Sequence, residues 1–236
     1  MSFRSSEYLQ RYELVRYQLD DVIRMPADGQ HQDKNGYKFT INDRSSFYDW
    51  YNAYFEVQFQ LQKLADGSGY VNANRITVIN GAHSLIDHIM IKSNGKIVYD
   101  TNNLHKVTFV KNLLEYSDDF SRSVAKNSLW YLDTDKSTAV TNSGFEARRL
   151  LTTGGKDVNV VIPLNRYSFF EELEGRMLVP MQLQFNLEIQ NDDELINKAN
   201  AAAAGRVVID RFLLWVPKLT PKDSLYDQFV SSFLTT

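Results

Sequence analysis

Two segments of the chain alternate apolar and polar side chains without a break. In "MQLQFNLEIQ" (181–190), Met181, Leu183, Phe185, Leu187 and Ile189 fall on one side, and Gln182, Gln184, Asn186, Glu188 and Gln190 on the other. In "YNAYFEVQFQLQKL" (51–64), Phe55, Val57, Phe59 and Leu61 alternate with Glu56, Gln58, Gln60 and Gln62. Successive side chains of a strand point to opposite faces. Both segments therefore predict half-buried antiparallel strands, since strands of parallel sheets are apolar on both faces. Burying each apolar side chain of such a strand is worth roughly 1.5–3 kcal/mol. A slip of one residue would expose the whole set, so the register is fixed.

The remaining pattern extends the same architecture. "YKFTI" (37–41), "DVNVVIPL" (157–164) and "RVVIDRFLLWVPKL" (206–219) read as strands, with Pro163 marking an edge or an end. Strand segments surround Asn80-Gly81 and Asn94-Gly95, a pair that tolerates positive φ, and "IDHIMIKSNGKIVYD" predicts a hairpin. Residues 104–130 lose the period of two and read as short helices in a long connection, the second capped by Ser117 or Asp118. "FEARRLL" is a short helix or strand, and "SFFEELEG" a helical turn. The alanines of "NDDELINKANAAAAG" (191–205) invite a helix ended by Gly205. Residues 5–24 fit a helix face carrying Tyr8, Tyr12 and Val15, or equally an extended arm. The expected organisation is an N-terminal arm or helix over 1–36, a β-domain over 37–219 and a tail or linker over 220–236. No strand–helix–strand rhythm appears. The fold class is all-β, an antiparallel sandwich or barrel with short helical excursions in long loops.

Composition narrows the function more than the fold. A chain of 236 residues with 43% hydrophobic and 23% charged residues can bury a large core without staples. The net charge of −3 carries no basic excess of the kind that marks specific nucleic-acid binding. Cysteine is absent, which removes disulfides and thiolate chemistry and suits a reducing compartment. The charged first thirty residues do not read as a signal peptide, and no apolar run reaches the roughly 18 residues of a membrane span.

Candidate chemistry is sparse. His83 and His88 stand five apart, on opposite faces of a strand, while His83 and Asp87 would share one; His31 and His105 lie elsewhere. "NDDEL" lacks the spaced ligand loop and central glycine of a calcium site and reads as a solvated turn or helix cap. "TTGGK" lacks the spacing of a phosphate loop. Arg148 and Arg149 could grip a carboxylate or phosphate bidentately, but salt bridges within the fold or at an interface are favoured. Nothing supports an enzyme, a cofactor or a metal. Trp50, Trp130 and Trp215 leave a glycan-binding sandwich as the alternative, although Trp215 within "RFLLWVP" reads as core.

The blocks "NLLEYSDDFSRSVAKNSLWYLDT", "GFEARRLL", "VNVVIPLNRYSFFEEL", "MQLQFNLEIQNDDELI" and "AAAAGRVVIDRFLLWVPKLTP", in this order, resemble the double jelly-roll capsid proteins of Polinton (Maverick) and adintovirus-like elements. "YNAYFEVQFQLQKL" and "NGAHSLIDHIMIKSNGKIVYD" match the same family's early strands, so the resemblance covers roughly residues 37–225. It implies a viral-type jelly roll and a structural role in a virion, or at an intracellular site of capsid assembly. The partners would be copies of the chain (pentamer, hexamer or trimer-based) and other capsid proteins. The family carries two rolls in tandem, and the resemblance covers only the first. The amide row of 182–188 is then either a subunit contact or merely solvated. The candidate interface residues are Gln182, Gln184, Asn186, Glu188, Tyr8, Tyr12, Arg148 and Arg149.

Overall fold

Residues 9–17, 21–25, 34–43, 46–71, 74–133, 142–176, 178, 180–198 and 204–221 are described by a computed structural model, with backbone alone for 9–17, 21–25, 34–35 and 219–221. Two five-stranded antiparallel sheets face each other. The first contains, in order, β1 (Leu9–Tyr17), β12 (Gly205–Pro221), β5 (Tyr54–Lys63) and β9 (Val158–Pro163), with the short β4 (Phe47–Tyr48) also pairing with β12. The second runs β2 (Asp21–Met25), β3 (Lys34–Ile41), β10 (Leu183–Ile189), β7 (Ile86–Ser93) and β8 (Lys96–Thr101). Pro163 ends β9 at a sheet edge, where its missing N–H costs no ladder bond.

The pairing is nested. β7 pairs with β8, β5 with β9, β3 with β10 and β1 with β12, each time antiparallel. Successive pairs, counted outward from β7–β8, fall in alternate sheets. A long hairpin rolled in this way is a jelly roll.

Alternation builds the core. β5 and β10 bury every second residue over their lengths. Phe39 and Phe55 from opposite sheets lie 5.6 Å apart, and Phe212 meets both, at 5.6 and 5.2 Å. Edge-on and tilted ring pairs of this kind add to the area term. β12 needs a phase change to stay buried. Val207 and Ile209 pack on the core, then Phe212, Leu214 and Val216 do, so the parity flips. The bulge at Asp210, left unpaired between Ile209 and Arg211, supplies the extra residue. Trp215 consequently faces outward, stacked on Tyr54 and donating to Glu56 Oε2 at 2.8 Å, and is not the core residue expected.

Antiparallel pairing brings the start of β7, the end of β8 and the end of β10 to one end of the sandwich. There, β6 (Ile76–Val78) and β11 (Ile196–Lys198) form a two-stranded ladder beside α5 (Asp192–Leu195). The connection from β8 to β9 forms α1 (Leu104–Glu115), α2 (Asp118–Arg122) and α3 (Ser143–Thr152). α4 (Ser168–Glu171) follows β9. Ser117 caps α2 as expected, its Oγ accepting from Phe120 N at 3.2 Å.

Several expectations change. Leu9–Tyr17, part of the expected helix or arm, pairs along its length with β12, because the long last strand offers backbone partners that no local pattern reveals. Asn80-Gly81 makes no hairpin: β6 pairs with β11, and Asn80 bonds the backbone N and O of Tyr131 instead. The helix expected over 191–205 is a single turn followed by β11, and Gly205 opens β12; residues 199–203 lie outside the described ones. The hairpin at Asn94-Gly95 forms as expected, with φ of 47° and 83° at the two turn residues.

Candidate functional surfaces

The outer face of the second sheet carries the amide row. Gln184 Nε2 donates to Asn186 Oδ1 at 3.0 Å, and Gln182 Nε2 to Asn42 Oδ1 at 2.5 Å. Thr40 and Lys92 flank Gln184 in register, and Lys38 and Met90 flank Asn186. Glu188 lies 3.3 Å from His88 Nδ1, whose Nε2 is 2.6 Å from Asp100. Burial opposes charge on His88, but the hydrogen bonds to Asp100 and Glu188 outweigh it and hold the imidazole above its ordinary pKa. The four polar side chains of β10 and its approach are half-buried and partly tied to one another. They retain acceptors and donors that a neighbouring surface could use.

The other candidates separate. Arg148 is only 2% exposed: Nε donates to Val78 O at 3.2 Å, and Asp133 stands 3.8 Å from the guanidinium. It is taken into the fold, because α3 turns it inward beneath β6. Burial lowers its pKa, with Asp133 and Tyr131 opposing. Arg149 is half-buried and bonds Glu146 at 2.8 Å. Tyr8 lies outside the described residues, and Tyr12 is placed only by its strand. Trp50 and Trp130 are buried, so neither offers a ring for stacking on a sugar. His83 is not on a strand: it sits in a 3-10 turn, Ala82–Leu85, entered through Gly81 at φ 88°. A second bulge, at Asp87 in β7, turns that carboxylate towards His105 at 3.1 Å. His83 and Asp87 therefore do not share a face. Among the described residues, no group of three or more potential ligands could hold a metal ion.

Sequence reading expected helices over 104–130 but did not single out the outward face of the first. α1 buries Leu104, His105, Thr108 and Asn112, and exposes Val107 (60%), Val110 (54%), Leu113 (58%) and Leu114 (82%). A surface helix ordinarily does the reverse. Polar contacts hold the inward face. Asn112 Nδ2 donates to His83 Nδ1 at 3.1 Å, and Asn112 Oδ1 accepts from Arg166 Nε at 2.8 Å. Arg166 also bonds Glu115 at 2.8 Å and lies over the Tyr116 ring at 4.8 Å. Lys111 pairs with Glu171. Burial, with the positive charge of Arg166 and then His105 adding to it, pushes the His83 pKa down to about 3. The spacing Leu104–Thr108–Asn112 was the available signal, but a search for apolar stripes selects the opposite side.

The nested order of eight main strands in two antiparallel sheets defines a jelly roll. No family model and no characterised protein sequence matches the chain. Solved structures do. A chain in the cryo-EM structure of the Sputnik virophage superposes with a TM-score of 0.53 at 11% identity, over 94% of this chain and 50% of that one. The PBCV-1 protein VP54, fitted into a reconstruction of the virophage Sputnik, gives 0.52 at 14% identity, over 97% and 46%. The crystal structure of mavirus major capsid protein superposes at 0.40 and 10% identity, over 93% and 48%. The chain thus spans about half the length of the structures it matches.

Proposed function

We propose that this chain is a structural jelly-roll unit of a virus capsid, which assembles with copies of itself or with other capsid proteins and performs no catalysis. The observation that carries this reading is the superposition of nearly the whole chain on half of a virophage chain. The resemblance of its strand blocks to Polinton-type capsid proteins points the same way. Its place of action is the virion. Because this chain covers only about half of each matched chain, their subunit number does not transfer.

The outward row of Gln182, Gln184, Asn186 and Glu188 serves, in this reading, as one polar and reversible contact surface, with Arg149 as a further surface charge. Size-exclusion chromatography with light scattering, followed by negative-stain microscopy of each peak, tests the assembly. Rings or closed particles support it. A monomer of about 27.3 kDa at every concentration and salt overturns it for the isolated chain. Gln184→Glu with Asn186→Asp adds two charges to the row and is expected to reduce assembly while leaving the denaturation midpoint in place. Unchanged assembly would remove the row from the contact.

A further inference from the structure

We infer that the outward face of α1 is a subunit contact that packs antiparallel against the same face of a second copy of this chain. The inference rests on the assembly reading and names a surface for it. Val107, Val110 and Leu114 follow a spacing of three and four residues and form one stripe, with Leu113 beside it. Each is more than half exposed, while the same helix buries Thr108 and Asn112. The helix is not amphipathic in the wrong phase by accident of a loose fit. Asn112, Lys111 and the neighbouring Glu115 are each tied to the body by named partners, so the stripe is held outward. An apolar stripe fixed towards water marks an interaction surface.

The occupant follows from charge. Lys106 stands exposed at the N-terminal end of the stripe, and Asp118 and Asp119 stand exposed just past its C-terminal end. Their internal contacts are long: Lys106 reaches Asn103 Oδ1 at 3.5 Å and Glu194 at 3.9 Å, and Asp118 meets Arg122 at 3.7 Å. A helix with a cation at one end and carboxylates at the other complements an inverted copy of itself. A two-fold axis at the level of Asn112, midway between Lys106 and Asp118, places each Lys106 by the other copy's Asp118 and sets Val110 of one stripe opposite Leu114 of the other, the self-complementary geometry of an isologous contact. Exposed ion pairs contribute little energy and set orientation, while the apolar stripe supplies the attraction. Four side chains make a patch smaller than the roughly 800 Å² per partner of a standard stable interface. The contact is therefore weak and forms with rising concentration.

The absence of cysteine makes the test direct. Val110→Cys/Leu114→Cys sets each cysteine opposite the other position of the second copy across the axis, and under mild oxidation it is expected to give a disulfide-linked dimer of the full chain. Ile97→Cys, equally exposed but on β8, is expected not to. In parallel, sedimentation equilibrium compares the native chain with Val110→Asp/Leu114→Asp, which is expected to weaken association by about tenfold or more with an unchanged thermal midpoint. If the native chain associates but Val110→Asp/Leu114→Asp associates equally and Val110→Cys/Leu114→Cys does not cross-link, the α1 assignment is overturned and the assembly reading stands. If the native chain does not associate and Val110→Cys/Leu114→Cys does not cross-link, both fall.

Discussion

The sandwich and its helical end are built on opposite plans. Between the sheets, Phe39, Phe55 and Phe212 exclude water, and amides and charges line the outside. At the helical end, α1 turns His105, Thr108 and Asn112 inward and its valines and leucines outward. The sandwich is stabilised by area removed from water, a non-directional force that tolerates adjustment. The helix is located by directional bonds, each of which needs its partner. A protein that must present apolar surface to a neighbour cannot use that surface to hold the presenting element. It needs another attachment, and the polar network beneath α1 provides one.

The contrast can be broken in order of expected effect. Phe55→Ala empties a site of zero exposure between the sheets and should cost about 3–5 kcal/mol, read from the urea midpoint. Acid should act next, and at the helical end. His83 has a folded pKa near 3 against an ordinary value of 6.5. Between these values the unfolded chain binds the proton and the folded chain does not, so stability is lost as pH falls from 6.5 towards 3, by roughly 3 kcal/mol at pH 4. His88 works with the opposite sign: its contribution is complete below its ordinary pKa and lost as pH rises through the raised folded value. His83→Gln should flatten the acid limb of a stability–pH curve, and an unaltered limb would contradict the assignment. The smallest change is Asn112→Ala, which strands His83 Nδ1 and Arg166 Nε and should cost about 1–3 kcal/mol. Its signature is local: amide exchange should quicken in α1 and not in β5 or β10.

Where side-chain period and burial coincide, the sequence was sufficient. β5, β10 and the Asn94-Gly95 hairpin stand where the alternation and the positive-φ pair put them. β1 was hidden because its partner lies at the far end of the chain, so its own residues carry only half of the information. The bulges at Asp87 and Asp210 each break a parity that pattern reading assumes to be constant. That error displaced Trp215 and set Asp87 beside the wrong histidine. The outward direction of Gln184, Asn186 and Glu188 was legible for the same reason that β10 was. The burial of Arg148 was not: two adjacent arginines look like surface, and only the packing of α3 beneath β6 distinguishes them.

The nested strand order has a kinetic consequence. β7–β8 is a local hairpin that can close within microseconds, but each further layer must bring together segments more distant in sequence, and the last, β1 on β12, joins the two extremes. Mean contact separation is therefore large, and refolding belongs to the slow, milliseconds-to-seconds regime of non-local β-proteins. During synthesis, β1 must wait for β12, and the edge of β5 that β12 will cover stays open until that strand arrives. Premature strand pairing between nascent chains is the hazard this order creates.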